Sequence, residues 1–325
     1  MFERFGFATL SVAGGDPFAA VVSGESYVPV QAFGLPAAAT LDDLLEDWDA
    51  NFTHIAEQEV DPGEFRPLAE ARVHAPYVPR QIFCIGANYR KHVIGLLTGR
   101  DAASRAKELE GISDPAELQR RAEEVMDKRS RESLPFAFVK LSSCVTGPED
   151  EVVLPKNVKK PDWELELGVV IGKTARHVAP EDAMSYVAGF AIVNDVTARD
   201  HIFRRDGTAI GADWLSGKCF PTFLPFGPQI VPRKFVPDPY DLGIRLAVNG
   251  KVYQDETTSD MLIPIDRQIS FLSDRVALQP GDIICTGSPY GNGAAFGVSL
   301  APGDVMSGEI TGLGQQRNLC VSETA

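Results

Sequence analysis

With 325 residues, 44% of them hydrophobic and 23% charged, the chain has the makeup of a globular protein, long enough for one large domain or a main domain with a smaller partner. A formal net charge of −14 argues against binding to nucleic acid or to an anionic membrane, for which a basic surface is expected. Five cysteines stand singly without a CxxC pair, so neither a zinc knuckle nor a disulfide framework is indicated. The start of the chain has no basic stretch followed by an apolar run, and no run of about 18 apolar residues marks a membrane span; a cytoplasmic protein is the expectation.

Along the chain, residues 1–30 alternate short apolar runs with Gly and Asp and read as hairpin strands. The stretch "TLDDLLEDWDANFTHIAEQE" places Leu41, Leu44, Leu45 and Trp48 at helical spacing behind Thr40 as N-cap. "HAPYVPR", residues 74–80, carries two prolines and marks a boundary, giving a small N-terminal domain over 1–75 and a main domain over 76–325. After the strand in "QIFCIGANYRKH", the composition from Leu96 to Arg131 turns charged and alanine-rich. Asp114-Pro115-Ala116-Glu117 has the form of a helix start there, and few apolar anchors follow it. Such a helix is either a solvated insertion or a mobile cover. Beyond Leu134 come short β-like runs separated by Gly and Pro, a hairpin signal at Asn249-Gly250, and one helix with Ile265, Ile269 and Leu272 in phase. The expected class is α+β and β-rich, not doubly wound.

The run "DWELELGVVIGK", residues 162–173, poses a chemical question. Glu164 and Glu166 leave one face of a strand with Gly168 and Val170, while Leu165, Leu167, Val169 and Ile171 line the other. A strand apolar on both faces is buried, and two adjacent buried carboxylates are costly without a partner. About 30 residues on, the apolar run "GFAIVND" ends on Asp195, a natural third carboxylate. Three oxygen donors suit Mg²⁺ or Mn²⁺ and not zinc. Arg199, Lys218 or a backbone amide group would answer the same need without a metal. "CTGSPYGNGAAFG" has GxGxxxG spacing and no βαβ setting, which rules out a dinucleotide site.

Eight stretches in order, "IFCIGANYRKH", "FVKLSSCVTGP", "DWELELGVVIGK", "NDVTARD", "GKCFPTFLPFGP", "VNGKVYQDETTSDM", "LQPGDIICTGSP" and "PGDVMSGEITGLGQQRN", resemble the fumarylacetoacetate hydrolase family over about residues 80–320. The resemblance implies a mixed β-roll or sandwich catalytic domain that forms a homodimer and binds Mg²⁺ or Mn²⁺ through Glu164, Glu166 and Asp195. It also implies catalytic roles for His92 and Lys218, substrate contacts from Tyr89, Arg199 and Ser288, and a lid over residues 91–134. The implied partner is a small 2-oxo or diketo acid. The leading expectation is a metal-dependent hydrolase that cleaves a C–C bond in an acylpyruvate or related β-diketo acid. The alternative is a decarboxylase, isomerase or hydratase of 2-oxo or 2-hydroxydienoic acids in aromatic-compound catabolism, and a binding protein without turnover is a third reading. His201 competes with His92 for the proton.

Several positions depart from the family pattern. Gly95 stands where many relatives carry a Glu that orients the histidine, and Val305 stands where another branch supplies an acid; Asp101 is a substitute candidate. Ile202 and Pro221 replace polar residues, and with Phe203 and Phe220 they suggest either a less polar substrate end or repacking.

Overall fold

The computed structural model describes residues 4–36, 38–98, 109–203 and 211–324. Its center is a six-stranded sheet in the order Val231–Pro232, Val187–Asn194, Leu165–Ile171, Ile283–Cys285, Ile82–Gly86, Phe136–Lys140; only the pairing of Ile283–Cys285 with Ile82–Gly86 is parallel. A five-stranded sheet, Lys251–Thr257, Gly243–Val248, Val305–Ile310, Gly314–Ser322, Val152–Leu154, packs on one side of it. The β-rich α+β class expected from the sequence is what the chain adopts.

Every residue of Leu165–Ile171 is buried, because both faces of this central strand are covered. Leu165, Leu167, Val169 and Ile171 pack with Ile244, Leu246, Met306 and Ile310 of the second sheet and with Ile265, Ile269 and Leu272 of the helix Ile265–Ser273. Val170, on the opposite face, joins Ala191, Val193, Ile283 and Cys285 under the N-terminal segment. The alternation read from the sequence thus sorts the strand's residues onto their two cores.

The N-terminal segment forms its own antiparallel sheet, Arg66–Pro67, Ser26–Pro29, Phe18–Ser23, Gly6–Val12, Ala71–Val73. Thr40 caps a helix as expected, in a reciprocal capping box with Asp43. The helical stretch breaks at Asp47, however, into Leu41–Glu46 and Trp48–Glu57, since Asp47 leaves the helical region at φ −134° and ψ 66°. Trp48 lies edge-on to Phe7 at 5.1 Å, and Phe5 packs on Phe235 at 4.9 Å. Phe7 and Ile230 exchange backbone hydrogen bonds of 2.9 and 2.8 Å. Residues before 60 and strands after 80 therefore share one apolar core.

The charged insertion is better anchored than its composition suggests. Asp114 caps Pro115–Glu132 by accepting from Glu117 N at 3.0 Å. Leu118, Ala122 and Met126 recur every four residues and pack on Val93, Ile94 and Leu97 of the helix Arg90–Thr98. Arg267 donates to the carbonyls of Ser130 and Ser133 at 2.5 and 2.7 Å, holding the C-terminal end. Asp101 falls outside the described residues. Asn249 and Gly250, with φ of 51° and 80°, form the expected tight turn between Gly243–Val248 and Lys251–Thr257.

Because one core joins the N-terminal segment to the central sheet, Trp48→Ala is expected to cost about 3–5 kcal/mol and to move a single urea transition, followed by circular dichroism, to lower denaturant. Two separate transitions, with the larger unmoved, would contradict the shared core.

Candidate active site

Strand register assembles the carboxylates. Leu165–Ile171 and Val187–Asn194 run antiparallel with Leu165 opposite Asn194 and Glu166 opposite Val193. The pairing extends one step beyond the strand end: Asp195 N donates to Glu164 O at 2.8 Å, and Glu164 N donates to Asn194 Oδ1 at 2.9 Å. Glu164, Glu166 and Asp195 are all buried, and each offers an oxygen within 4.8 Å of the others.

Cations surround two of the three. Lys218 Nζ reaches Glu164 Oε2 at 2.5 Å and Asp195 Oδ2 at 2.6 Å. Lys140, its side chain fully buried, donates to Asp195 Oδ1 at 2.6 Å and to Val196 O at 2.9 Å. Arg199 bridges Glu164 and Asp162, with Nε 2.9 Å from Asp162 Oδ2. Asn292 Nδ2 adds a 3.1 Å bond to Glu164 Oε1. Burial works to raise the Glu164 carboxyl, but Arg199 and Lys218 override it and hold it well below the usual range.

Glu166 is different. It accepts from Gly287 N at 2.8 Å, and among the described residues no ion pair reaches it. Burial, with Asp195 adding to it, pushes its carboxyl well above the usual range. Four buried carboxylates, Asp162 included, thus face three fixed cations, and Glu166 is the one left without a cation of its own in a set of converging oxygen donors. That donor chemistry fits a divalent cation of the Mg²⁺ or Mn²⁺ kind, and Glu164, Glu166 and Asp195 can hold it.

Lys218 owes its position to the short helix Trp214–Lys218, capped by Asp213 through Ser216 N at 2.9 Å. The ring of Phe138 lies 5.2 Å from Lys218 Nζ and stacks on Trp214 at 4.7 Å. A Cβ at Gly217 would come within 2.5 Å of Ile202 Cγ1, so Ile202 is packing against this helix. Phe203 and Pro221 are exposed, and Phe220 packs on His201 and Phe223. For Ile202 and Phe220, repacking is therefore the reading the packing favors.

His92, half-buried on Arg90–Thr98, comes within electrostatic reach of Glu164, Arg199 and Lys218; its burial pushes the imidazole down to about 4, so it is neutral near pH 7. His201 turns elsewhere, its Nε2 at 3.1 Å from Asn157 O. Tyr89 is fully buried beside Thr286 and Glu166. The Ser288 hydroxyl accepts from Gln254 Nε2 at 3.1 Å and lies 3.3 Å from Asn292 Oδ1, which links it to Glu164 through Asn292. Gly95 packs near the Tyr290 ring, and Val305 opens the strand Val305–Ile310.

Sequence reasoning missed Lys140, Asp162, Asn194 and Asn292. A lysine closing the apolar run "FAFVK" is a readable signal of a buried ion pair. Asn292, inside the glycine-rich turn, carries no comparable mark.

Residues 81–321 match the model of the family described as fumarylacetoacetate (FAA) hydrolase C-terminal, and the chain belongs to that family. It is 35% identical over 90% of its length to a human mitochondrial oxaloacetate tautomerase, 83% of which is covered. A 2,4-didehydro-3-deoxy-L-rhamnonate hydrolase from a Sphingomonas strain is 44% identical over 56% of this chain and 64% of its own. Among solved structures, maleylpyruvate hydrolase from Sphingobium sp. SYK-6, in complex with manganese (II) ion and pyruvate, aligns with a TM-score of 0.73 at 27% identity over 98% of this chain and all of the other. The relatives thus bear hydrolase and tautomerase names alike, and the human one is mitochondrial by name. Among the described residues no helix is long and apolar enough to cross a membrane.

Glu166→Gln is expected to weaken Mn²⁺ binding by at least about 10–100-fold, the range lost even when an outer partner of a ligand is removed. Since burial disfavors the Glu166 charge in the metal-free protein, its melting temperature without metal should stay level or rise. Calorimetric titration and thermal melts check both; full Mn²⁺ affinity in the variant would take Glu166 out of the site.

Proposed function

We propose that this member of the fumarylacetoacetate hydrolase family is a divalent-metal-dependent enzyme acting, as a homodimer, on small 2-oxo and 2,4-dioxo acids through their enolates, with keto–enol tautomerization as its reaction. The observation that carries this reading is the convergence of three buried carboxylates within 4.8 Å beside the buried Lys218 and the neutral His92.

A divalent cation held by Glu164, Glu166 and Asp195 would supply Lewis acidity toward the 2-oxo group, making the neighboring C–H more acidic. Lys218 and Arg199 add fixed positive charge for a substrate carboxylate or the developing enolate oxygen, preorganized by the carboxylates that clamp them. His92 is the base: a neutral imidazole takes a proton from the carbon beside the 2-oxo group and returns it in the reverse direction. Ser288 and Tyr89 line the polar wall around Glu164 and Glu166.

C–C hydrolysis, the leading expectation from sequence, needs one part more: a water activated at the distal carbonyl. Among the described residues no carboxylate is bonded to His92, with Gly95 and Val305 at the two positions where relatives carry one. Tautomerization needs only the proton transfer, and the relative aligned over 90% of this chain is named for that reaction. The second reading keeps its support from the fold shared with a maleylpyruvate hydrolase.

The test is hydrogen exchange at C3 of oxaloacetate, followed in D₂O by NMR, beside an acylpyruvate panel read by mass spectrometry, with Mn²⁺ or Mg²⁺ and then with EDTA. Metal-dependent exchange above the enzyme-free control, with no fragments, is expected. Two fragments from an acylpyruvate would establish hydrolysis, and CO₂ above the control would establish decarboxylation. His92→Ala should lower the exchange rate by about 10²–10⁴-fold, the usual span for an acid–base group; an unchanged rate would assign the proton to another residue.

A further inference from the structure

The five cysteines stand apart in the sequence, yet the fold pairs four of them. Cys84 and Cys285 are cross-strand neighbors on Ile82–Gly86 and Ile283–Cys285, both buried in the sheet. Cys144 and Cys219 meet in a different setting, between two loops beside the carboxylate cluster. Cys144 closes the turn Ser142–Cys144, and its Sγ lies 3.9 Å from Lys218 O, the carbonyl joined to Cys219. Cys219 packs against the core cluster that holds Cys144, close enough for the two thiols to shift each other's ionization.

Where the two loops come from gives the pair its meaning. Cys219 directly follows Lys218, and Cys144 lies four residues beyond Lys140. These are the two buried ammonium groups that grip Asp195 at 2.6 Å each. Of the five thiols only Cys219 is not fully buried. Cys144, aided by the Leu141 N–H and the nearby Lys140, lowers the Cys219 thiol against the opposing effect of its burial, the electropositive setting in which a cysteine is reactive, while the same interaction raises Cys144. Cys84, Cys285 and Cys320 are buried in the apolar core, where thiols are inert.

We infer that Cys144 and Cys219 are a peroxide-sensitive thiol pair whose disulfide disables the site by shifting Lys218. The chemistry balances with a hydroperoxide as oxidant. The Cys219 thiolate attacks one peroxide oxygen, the O–O bond breaks, and a sulfenic acid forms as an alcohol or water leaves. Cys144 sulfur then attacks the sulfenic sulfur, its proton leaves with the hydroxyl as water, and the S–S bond closes. The two thiols lose two electrons and the peroxide gains them. A covalent bond is shorter than a contact between two thiols, so closure draws the peptide between Lys218 and Cys219 toward Cys144. A displacement near 1 Å in a site of this kind costs about 10- to 100-fold in rate.

Disulfide formation rests on the approach of Cys144 to the Lys218–Cys219 peptide, whereas its effect on rate rests on the role proposed for Lys218, so the two are read separately. The full chain is treated with hydrogen peroxide, the excess is removed, and the protein is digested under conditions that block thiol exchange. Expected are the loss of two hydrogens by intact mass, a peptide linking Cys144 to Cys219, and a fall in oxaloacetate exchange of about 10- to 100-fold that dithiothreitol reverses. Cys144→Ser should abolish both the link and the reversible loss, with Cys219→Ser as the second variant if the first folds poorly. A linked peptide joining Cys84 to Cys285 instead, or thiols left free after peroxide, would overturn the pair. Quantitative linkage with the exchange rate and Mn²⁺ affinity both unchanged would overturn its control of the site.

Discussion

The structure turns on the cost of burying carboxylates. Asp162, Glu164, Glu166 and Asp195 are all at most 6% exposed, and an unpaired charge in such a place costs several kcal/mol. The chain meets that cost by bringing Lys140, Arg199 and Lys218 from three separate segments to the end of one strand pair. Each segment then becomes a structural commitment. Lys140 fixes the edge strand Phe136–Lys140, Arg199 fixes the turn after Asp195, and Lys218 fixes the helix that Ile202 packs against. Removing a single partner would leave a buried charge behind, which is more damaging than losing the whole pair. The site's electrostatics and its architecture are one constraint.

The strand pair carries that constraint because register is all or nothing. A slip of one residue between Leu165–Ile171 and Val187–Asn194 would turn Glu166 into the core now filled by Leu165 and Leu167, and would part Glu164 from Asp195. The apolar residues on both faces make every such slip unfavorable, so the core selects the geometry that the chemistry requires. Packing from the N-terminal segment through Phe7 and Trp48 reinforces the same sheet from behind.

What was legible in the sequence were features with a short-range physical signature. The alternation in "LELGVVI", the Asp-Pro helix start, the Asn-Gly turn and the Thr40 cap each depend on neighbors within a few residues. The carboxylate triad was legible because a charged pair in an apolar strand is anomalous wherever it occurs. The family motifs supplied His92 and Lys218, which spacing alone would not have selected. The partners of long-range pairings left no such trace, even where one end did, as with Lys140 closing "FAFVK": Lys140 with Asp195, Asn292 with Glu164, and Cys144 with Cys219 are separated by 55, 128 and 75 positions. The anchoring of the insertion was hard to read because Leu118, Ala122 and Met126 look sparse among charges, although one stripe suffices when the facing helix is apolar.

That stripe bears on what distinguishes this chain among relatives with different reactions. A metal-held enolate serves tautomerization, cleavage and decarboxylation equally well, so the carboxylates and lysines do not choose between them. In the proposed reaction the choice would fall on whatever governs water and protons at the other side of the substrate, the place of the helix carrying His92. In this chain the helix is held by Val93, Ile94 and Leu97 against the insertion, by Arg90 paired to Asp127 at 2.5 Å, and by Lys91 paired to Glu256 at 2.5 Å. Gly95, one turn beyond His92, leaves room for the Tyr290 ring where a carboxylate would otherwise orient the imidazole. A histidine fixed by its backbone, with no acid bonded to it among the described residues, would suit moving a proton at an already acidified carbon better than activating water. Its reaction would then be set by what the helix lacks as much as by what the strands supply.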